Sequence, residues 1–405
     1  MQKWLLPEYI EDLLPGEAAR VERLRRRILD LFFAHGYELV VPPMLEYLES
    51  LLTGTGHDLD LKTFKLVDQL SGRMLGLRAD MTPQVARIDA HLLNRRGVTR
   101  LCYAGTVLHT QPSGLLRTRE PMQIGAEIYG HAGLESDVEI QTLMLRALQA
   151  TGVNGIHLDI GHVSVFRALI TRAGLTAQQE ADLFQVLQAK DVPALRELSN
   201  GLAAVTREAL LLLPELYGGP EVLATARARL PDYPELTAYL DALARIGGEL
   251  TGDVKELCFD LAELRGYHYH SGVVFAAYAG NRPEAIARGG RYDEVGRAFG
   301  RARPATGFTM DLRELAEMAN DEVRPLRVLA PYRPGDLALQ TEIARLRADG
   351  TVVVPDLPGH EASRAEASRA ELNCSQQLVS GNGTWRLEPF DPAPAPEVNK
   401  AKQRS

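Results

Sequence analysis

The chain has 405 residues, 45% of them hydrophobic and 24% charged, and carries a formal net charge of -8, which predicts two or three soluble globular domains. An acidic balance excludes broad attraction to phosphate backbones, on which nonspecific nucleic-acid binding depends. The widely spaced Cys102, Cys258 and Cys374 exclude a disulfide framework or cysteine-based zinc cluster, and with no membrane span or signal-peptide core the expected compartment is the cytoplasm.

Residues 17–35 place Val21, Leu24, Ile28, Leu31 and Phe32 on one helical face, arginines opposite, and a stop at Gly36. YELVVPPMLEY is extended, and Pro42–Pro43 bars it from ordinary central-strand pairing. LLTGTGHDLDL reads as a glycine-punctuated loop, TFKLVDQLSGRMLGLRAD as a hairpin turning near Ser71–Gly72, and MTPQVARIDAHLL as a helix. Residues 105–127 belong to two amphipathic strands joined by a basic loop. Ser136 and Glu139 have capping-box spacing ahead of the next helix, and IHLDIGHVSVFRALI reads strand, turn, helix. Between 171 and 250 strand signals nearly vanish, which predicts an inserted helical subdomain. CFDLAELRGYHYHSGVVFAAYA returns to strand patterning, and the stretch from GGRYDE to LAEMA reads turn, helix, loop, strand and helix. Residues 1–325 thus form the expected main domain. Residues 326–390 alternate strand and helix as a small α/β domain, and 391–405 read as a disordered, proline-rich tail.

Four blocks carry chemistry. LRADMTPQVAR places Asp80 and Thr82 where an extended segment enters a helix, and RTREPMQIGAE puts Gln123 and Glu127 two β-periods apart on one strand face. ELRGYHYHSG supplies Arg265, Tyr267 and Tyr269, and GGRYDE supplies Tyr292 in a tight glycine turn. An amino-acid ligand needs acidic or amide acceptors for its ammonium, an arginine fork for its carboxylate and polar or aromatic groups for its side chain. Each block also has a structural reading: Asp80 as a helix cap, Arg265 in a surface ion pair, the tyrosines as core. His268 and His270 lack a third ligand at a recognisable spacing, and the glycine pairs lack a Walker lysine, so neither metal nor cofactor is expected.

Taken in order, these blocks resemble histidyl-tRNA synthetases and the histidyl-tRNA-synthetase-like regulatory subunits of ATP phosphoribosyltransferase. The resemblance spans roughly residues 8–320 and includes the opening helix, GYELVVPP, LRADMTPQVAR, the strand pair around 105–127, RGYHY, GGRYD and GFTMDL. It implies an α+β fold: a class II aminoacyl-tRNA synthetase-like core with an antiparallel sheet and flanking helices, interrupted by the helical insertion and followed by the small α/β unit. It also implies a histidine site. Asp80 and Thr82 would hold the amino group, Gln123 would touch the amino-acid backbone, and Glu127 would face the imidazole. Arg265 would bind the carboxylate, and Tyr269 and Tyr292 would line the imidazole pocket.

The departures shape the functional expectation. His109 stands where a synthetase holds phosphate with arginine, Glu314 stands at the second such arginine, and His268 replaces an aspartate of the binding signature. Phosphoryl chemistry relies on preorganised positive charge, and a carboxylate repels phosphate. Arg117 and Arg119 remain as candidate anion contacts. The C-terminal unit is shorter than an anticodon-binding domain, and the acidic charge gives tRNA binding no support. The expectation is a subunit without catalytic residues that senses L-histidine. By resemblance it supports feedback regulation of the first step of histidine biosynthesis. Its implied partners are the short-form catalytic ATP phosphoribosyltransferase and a second copy of itself, as a dimer within a hetero-oligomer. A divergent histidyl-tRNA synthetase or other amino-acid-activating enzyme is the enzymatic alternative, marked by histidine-dependent pyrophosphate exchange. A nucleic-acid-binding regulator is the third, marked by salt-sensitive tRNA binding.

Overall fold

The computed structural model describes residues 5–54, 57–112, 114, 117–280, 282–319, 326–358, 372–381 and 384–389. The backbone separates into two units, Met1–Asp321 and Glu322–Ser405. The expected disordered tail at 391–405 lies outside the described residues.

In the first unit, α1 (Pro15–Ala34) starts on a proline, which suits a first helical turn, and buries Val21, Leu24, Ile28, Leu29 and Phe32. It stops where Gly36 takes a left-handed conformation (φ +82°). Next to the diproline, β1 (Glu38–Leu39) is a two-residue strand at the sheet edge, and β2 (Leu45–Tyr47) follows. The segment read as a glycine-punctuated loop is instead helical in two pieces, α2 (Leu48–Leu52) and α3 (His57–Lys62), with its glycines between them. The expected hairpin forms from β3 (Lys65–Val67) and β4 (Met74–Leu77), and β2 pairs with the other side of β4.

Helix α4 (Thr82–Arg87) continues into a π-helical stretch, Ile88–Leu93, before the strand pair β5 (Thr99–Thr106) and β6 (Met122–Tyr129). Helix α5 (Leu134–Ala150) follows, but the expected capping box is absent. Gly133 is the N-cap, Ser136 Oγ donates to the Gly133 carbonyl, and Glu139 pairs with Arg100. The spacing was met, but those side chains have tertiary partners instead. Then come β7 (His157–His162) and α6 (Ser164–Ala173).

The strand-poor region forms α7 (Ala177–Gln188), α8 (Val192–Leu198), α9 (Ala204–Leu212), the short β8 (Tyr217–Gly218), α10 (Glu221–Arg229) and α11 (Pro234–Leu250). Its buried leucines, among them Leu187, Leu195, Leu210 and Leu243, join the same apolar cluster as the sheet. These helices therefore share the main core. The unit closes with β9 (Glu256–Asp260), β10 (Val273–Tyr278), β11 (Ala287–Arg291), β12 (Ala305–Asp311) and α12 (Leu312–Met318). Gly289 and Gly290, read as a turn, are strand residues. A Cβ on Gly289 would stand 2.2 Å from the Gly307 carbonyl oxygen, so close strand approach explains that glycine.

Among the described residues nine strands form one sheet in the order β1-β5-β6-β12-β11-β10-β7-β9-β8, antiparallel except for β1–β5 and β7–β9. Strand alternation sorts its residues onto two faces. Ile124, Ala126 and Ile128 of β6, Phe308 and Met310 of β12 and Leu158 and Ile160 of β7 enter the core, with α5 packed on β6 and β12 and α11 on β7. The registers align Gln123, Gly125 and Glu127 with Asp311, Thr309 and Gly307, and then Thr309 and Gly307 with Arg288 and Gly290. That second face is polar or glycine where a core would be apolar.

The second unit consists of β13 (Arg327–Pro331), α13 (Leu337–Ala348), β14 (Val352–Asp356), β15 (Gln376–Gly381) and β16 (Thr384–Pro389). Its sheet order is β14-β13-β15-β16, and Val328, Ala330, Leu339, Ile343 and Leu378 form its core.

Candidate functional site

The polar sheet face is hollow because glycines pave it. At Gly307 an added Cβ would stand 1.4 Å from Glu127 Oε2, so the neighbouring strand must present no side chain for Glu127 to lie flat on the sheet. We predict that Gly307→Ala expels this carboxylate and costs about 1–3 kcal/mol of stability. Thermal unfolding and histidine binding measured on the same sample check this; an unchanged melting temperature with unchanged binding refutes it.

Two adjoining cavities open on this face. The smaller, 160 Å³, is lined by Asp80, Thr82, Glu127, Tyr269, His270 and Tyr292, among others. The larger, 290 Å³, is lined by Lys62, His109, Arg117, Gln123, Asp311 and Glu314, among others. Asp80, Arg288 and Thr309 are common to both.

Glu127 is the buried centre of the smaller cavity. Tyr292 donates to its Oε2, and Tyr103 donates to Oε1 at 3.1 Å. Burial pushes its pKa up to about 8, against the pull of the two tyrosine hydroxyls. Thr82 Oγ1 lies 3.2 Å from the Tyr103 hydroxyl, extending the network towards the start of α4. Asp80 is fixed by Gln123, whose amide donates to Oδ1 at 2.9 Å, while Gln123 Oε1 accepts from the Met81 backbone at 2.9 Å. Asp80 Oδ1 also accepts from the Thr82 backbone N–H at 3.0 Å, so the carboxylate braces the turn into α4 as well as facing the cavity.

Tyr269 stacks at a tilt 5.0 Å from Tyr292, and its buried hydroxyl has no hydrogen-bond partner among the described residues. A buried hydroxyl is costly when unpaired, so a polar ligand group here would satisfy it. His270 sits below, its Nδ1 3.3 Å from the Arg291 carbonyl, and burial lowers its pKa to about 4, leaving it neutral.

Six of the seven expected histidine contacts therefore converge: Asp80, Thr82, Glu127, Tyr269 and Tyr292 line the smaller cavity and Gln123 adjoins it. Arg265 lines neither cavity. Its guanidinium is held by Glu263 at 3.2 Å and by the Tyr278 hydroxyl at 3.2 Å. The sequence reading missed Tyr103, His270 and Arg288. Tyr103 enters because β5 pairs it opposite Gly125, a register that no local pattern reveals. Arg288 was hidden by reading the glycine pair as a turn; strand period, counted back two residues from Gly290, places it on the cavity face.

The positions from which loop arginines would grip phosphates in the larger cavity are occupied or altered. Arg117 is bound by Glu284 at 2.7 Å and Glu314 at 2.9 Å. Arg119 is turned to the carbonyls of His109 and Glu8 and over the Phe64 ring. The two candidate anion contacts are thus already engaged, because carboxylates and carbonyls sit within reach of them. His109 Nε2 donates to the Ala79 carbonyl at 3.0 Å, and burial lowers its pKa, so it supplies no fixed positive charge. Burial and nearby Asp311 push Glu314 up to about 7, opposed by Arg117. Arg313 points away, to Glu11 at 2.9 Å. Among the described residues no group of histidine, cysteine, aspartate or glutamate could hold a metal ion, and no helix is long and apolar enough to cross a membrane.

Comparison with other proteins places this geometry in a family. Residues 9–315 match the model of histidyl-tRNA synthetase, and residues 325–388 match the model of the ATP phosphoribosyltransferase subunit HisZ C-terminal domain. An ATP phosphoribosyltransferase regulatory subunit from Nitrosospira multiformis is 60% identical over 96% of this chain and 98% of its own length. One from Ralstonia nicotianae is 59% identical over 96% and 99%. The crystal structure of an ATP phosphoribosyltransferase regulatory subunit/histidyl-tRNA synthetase from Bacillus halodurans superposes with a TM-score of 0.80 at 29% identity, covering 91% of this chain and 97% of that one. The chain therefore belongs to the ATP phosphoribosyltransferase regulatory subunit family, built on a histidyl-tRNA-synthetase-like core.

Proposed function

We infer that this chain is the noncatalytic, histidine-sensing subunit of an ATP phosphoribosyltransferase and supports feedback control of the first step of histidine biosynthesis. The observation that carries this reading is the contrast between the two cavities. The smaller offers a buried acid, Asp80 braced by the adjoining Gln123 amide, and a tyrosine hydroxyl unpaired among the described residues. In the larger, Glu314 binds the arginine that phosphates would need. The smaller cavity holds the ligand, and no phosphoryl group is activated in the larger.

Imidazole fits the deep end because one proton suffices for the pair. Glu127, carrying a proton near neutral pH, donates to an imidazole nitrogen or transfers the proton to it, while Tyr103 and Tyr292 keep its oxygens bridged. The ligand ammonium then faces Asp80 beside Thr82. Histidine inhibits only if it binds the inactive assembly more tightly than the active one, because equal affinity for both shifts nothing. Self-association has a surface available to it: Leu39, Leu45, Leu66 and Val67 are exposed on the edge strand and the small three-stranded sheet, and Val41 on the segment between them.

The test is a phosphoribosyl-transfer assay of the catalytic subunit with and without this chain, titrated with histidine. Activity that depends on the chain and falls with histidine supports the reading. Inhibition that persists unchanged with Glu127→Ala refutes the histidine site, and histidine-dependent pyrophosphate exchange by the chain alone favours the synthetase alternative.

A further inference from the structure

The sequence resemblance assigns the ligand carboxylate to Arg265, but that guanidinium is occupied by Glu263 and Tyr278 and borders neither cavity. An amino acid bound through its ammonium at Asp80 must place its carboxylate alongside, because the amino nitrogen and carboxyl carbon are only about 2.5 Å apart. The anion partner therefore belongs at the junction of the two cavities.

Arg288 occupies that junction. It lies on β11 opposite Thr309, on the same sheet face as Gln123 and Glu127, and with Asp80 and Thr309 it lines both cavities. Its side chain makes no ion pair or hydrogen bond among the described residues. Arg117, by contrast, is held by two carboxylates. Lys62 also has no side-chain partner among the described residues, but it borders only the larger cavity and offers a point charge rather than a planar fork. Asp80 and Arg288 do not pair with each other, so their opposite charges flank the junction with space between them, which is the arrangement a zwitterion requires.

We propose that Arg288 is the residue that binds the α-carboxylate of the amino-acid ligand, in place of Arg265. The assignment rests on the histidine reading above and completes it: Asp80 and Thr82 take the ammonium, Arg288 the carboxylate and Glu127 the imidazole. Local electrostatics agree. Loss of solvent and the neighbouring Arg265 and Arg117 hold the Arg288 pKa below the ordinary arginine range, while the group stays charged. An arriving carboxylate relieves that repulsion.

Histidine and histamine, which lacks the carboxylate, separate the roles. Calorimetric titration of the full-length chain, alone and with its catalytic partner, gives the affinity of each. Arg288→Met is expected to weaken histidine by about 10–100-fold, the loss of a bidentate charge-assisted contact. Histamine binding should be unchanged or tighter, which also shows that the variant folds. Arg265→Met should keep the wild-type ratio of the two affinities. An unchanged ratio in Arg288→Met, or a collapsed ratio in Arg265→Met, overturns the Arg288 assignment while leaving the histidine site intact. If the wild-type chain binds neither ligand in either setting, the histidine reading falls and the assignment falls with it.

Discussion

Histidine affinity is expected to be level between about pH 6.5 and pH 8 and to fall on both sides, with Glu127 setting the alkaline limit. The free imidazole titrates near its ordinary value of about 6.5, and burial places Glu127 at about 8. The bound pair carries one proton. Between the two values the free partners also carry one, on Glu127, so binding neither takes up nor releases a proton. Below about 6.5 the free partners hold two and one must leave; above about 8 they hold none and one must be captured. Affinity thus falls about tenfold per pH unit outside the window. Glu127→Gln removes the alkaline term while keeping the shape, so the ratio of its dissociation constant to that of wild type is flat below about pH 8 and falls above it. The ligand's own ammonium titrates for both proteins and cancels in that ratio. Glu127→Ala, which also strands the hydroxyls of Tyr103 and Tyr292, should cost about 100-fold or more in affinity at every pH. A ratio that stays flat through pH 9 would show that Glu127 is not the proton carrier.

Arg291→Met should lower stability by about 3–5 kcal/mol, a large fraction of the 5–15 kcal/mol typical of a folded domain. The Arg291 guanidinium is buried on the core face and pairs with the buried Asp137 of α5 at 2.7 Å. It also donates to Ser136 Oγ at 2.9 Å and to the Gly133 carbonyl at 3.2 Å, tying β11 to the start of α5. Methionine would leave the Asp137 carboxylate buried without a cation. The melting temperature should fall by roughly 10 °C, and the double variant Arg291→Met with Asp137→Leu should recover part of the loss, because removing both charges abolishes the unpaired one. A single variant that melts within about 2 °C of wild type would refute the clamp.

The GGRYD block shows how sequence and structure divide the explanation. Its presence beside RGYHY and LRADMTP marks the fold from sequence alone. Within it, however, three consecutive residues do different work. Arg291 faces the core and anchors α5, Tyr292 bridges to Glu127, and Asp293 Oδ1 accepts from the Ala305 backbone at 3.0 Å to fasten β12. Arg288 precedes the block and borders both cavities. Alternation along one strand separates Arg288 from Arg291, and only the knowledge that this segment is a strand, rather than a glycine turn, allows the separation to be read.

The expected convergence of Asp80, Thr82, Gln123, Glu127, Tyr269 and Tyr292 was legible because each lies in a short motif whose local geometry is nearly self-contained: a strand face or a turn into a helix. The same holds for the altered charges at His109 and Glu314. What each charged side chain does was not legible, because arginine reaches far and its partner is chosen by neighbours distant in sequence. Arg117 meets Glu284 and Glu314, Arg265 folds back on Glu263, and Ser136 turns from capping its helix to accept from Arg291. Periodicity and motif order thus determined the helices, most strands and the chemistry of the pocket. Sheet register and long-range ion pairing decided which arginines are paired and which line the cavities unpaired among the described residues, because those depend on which strands become neighbours.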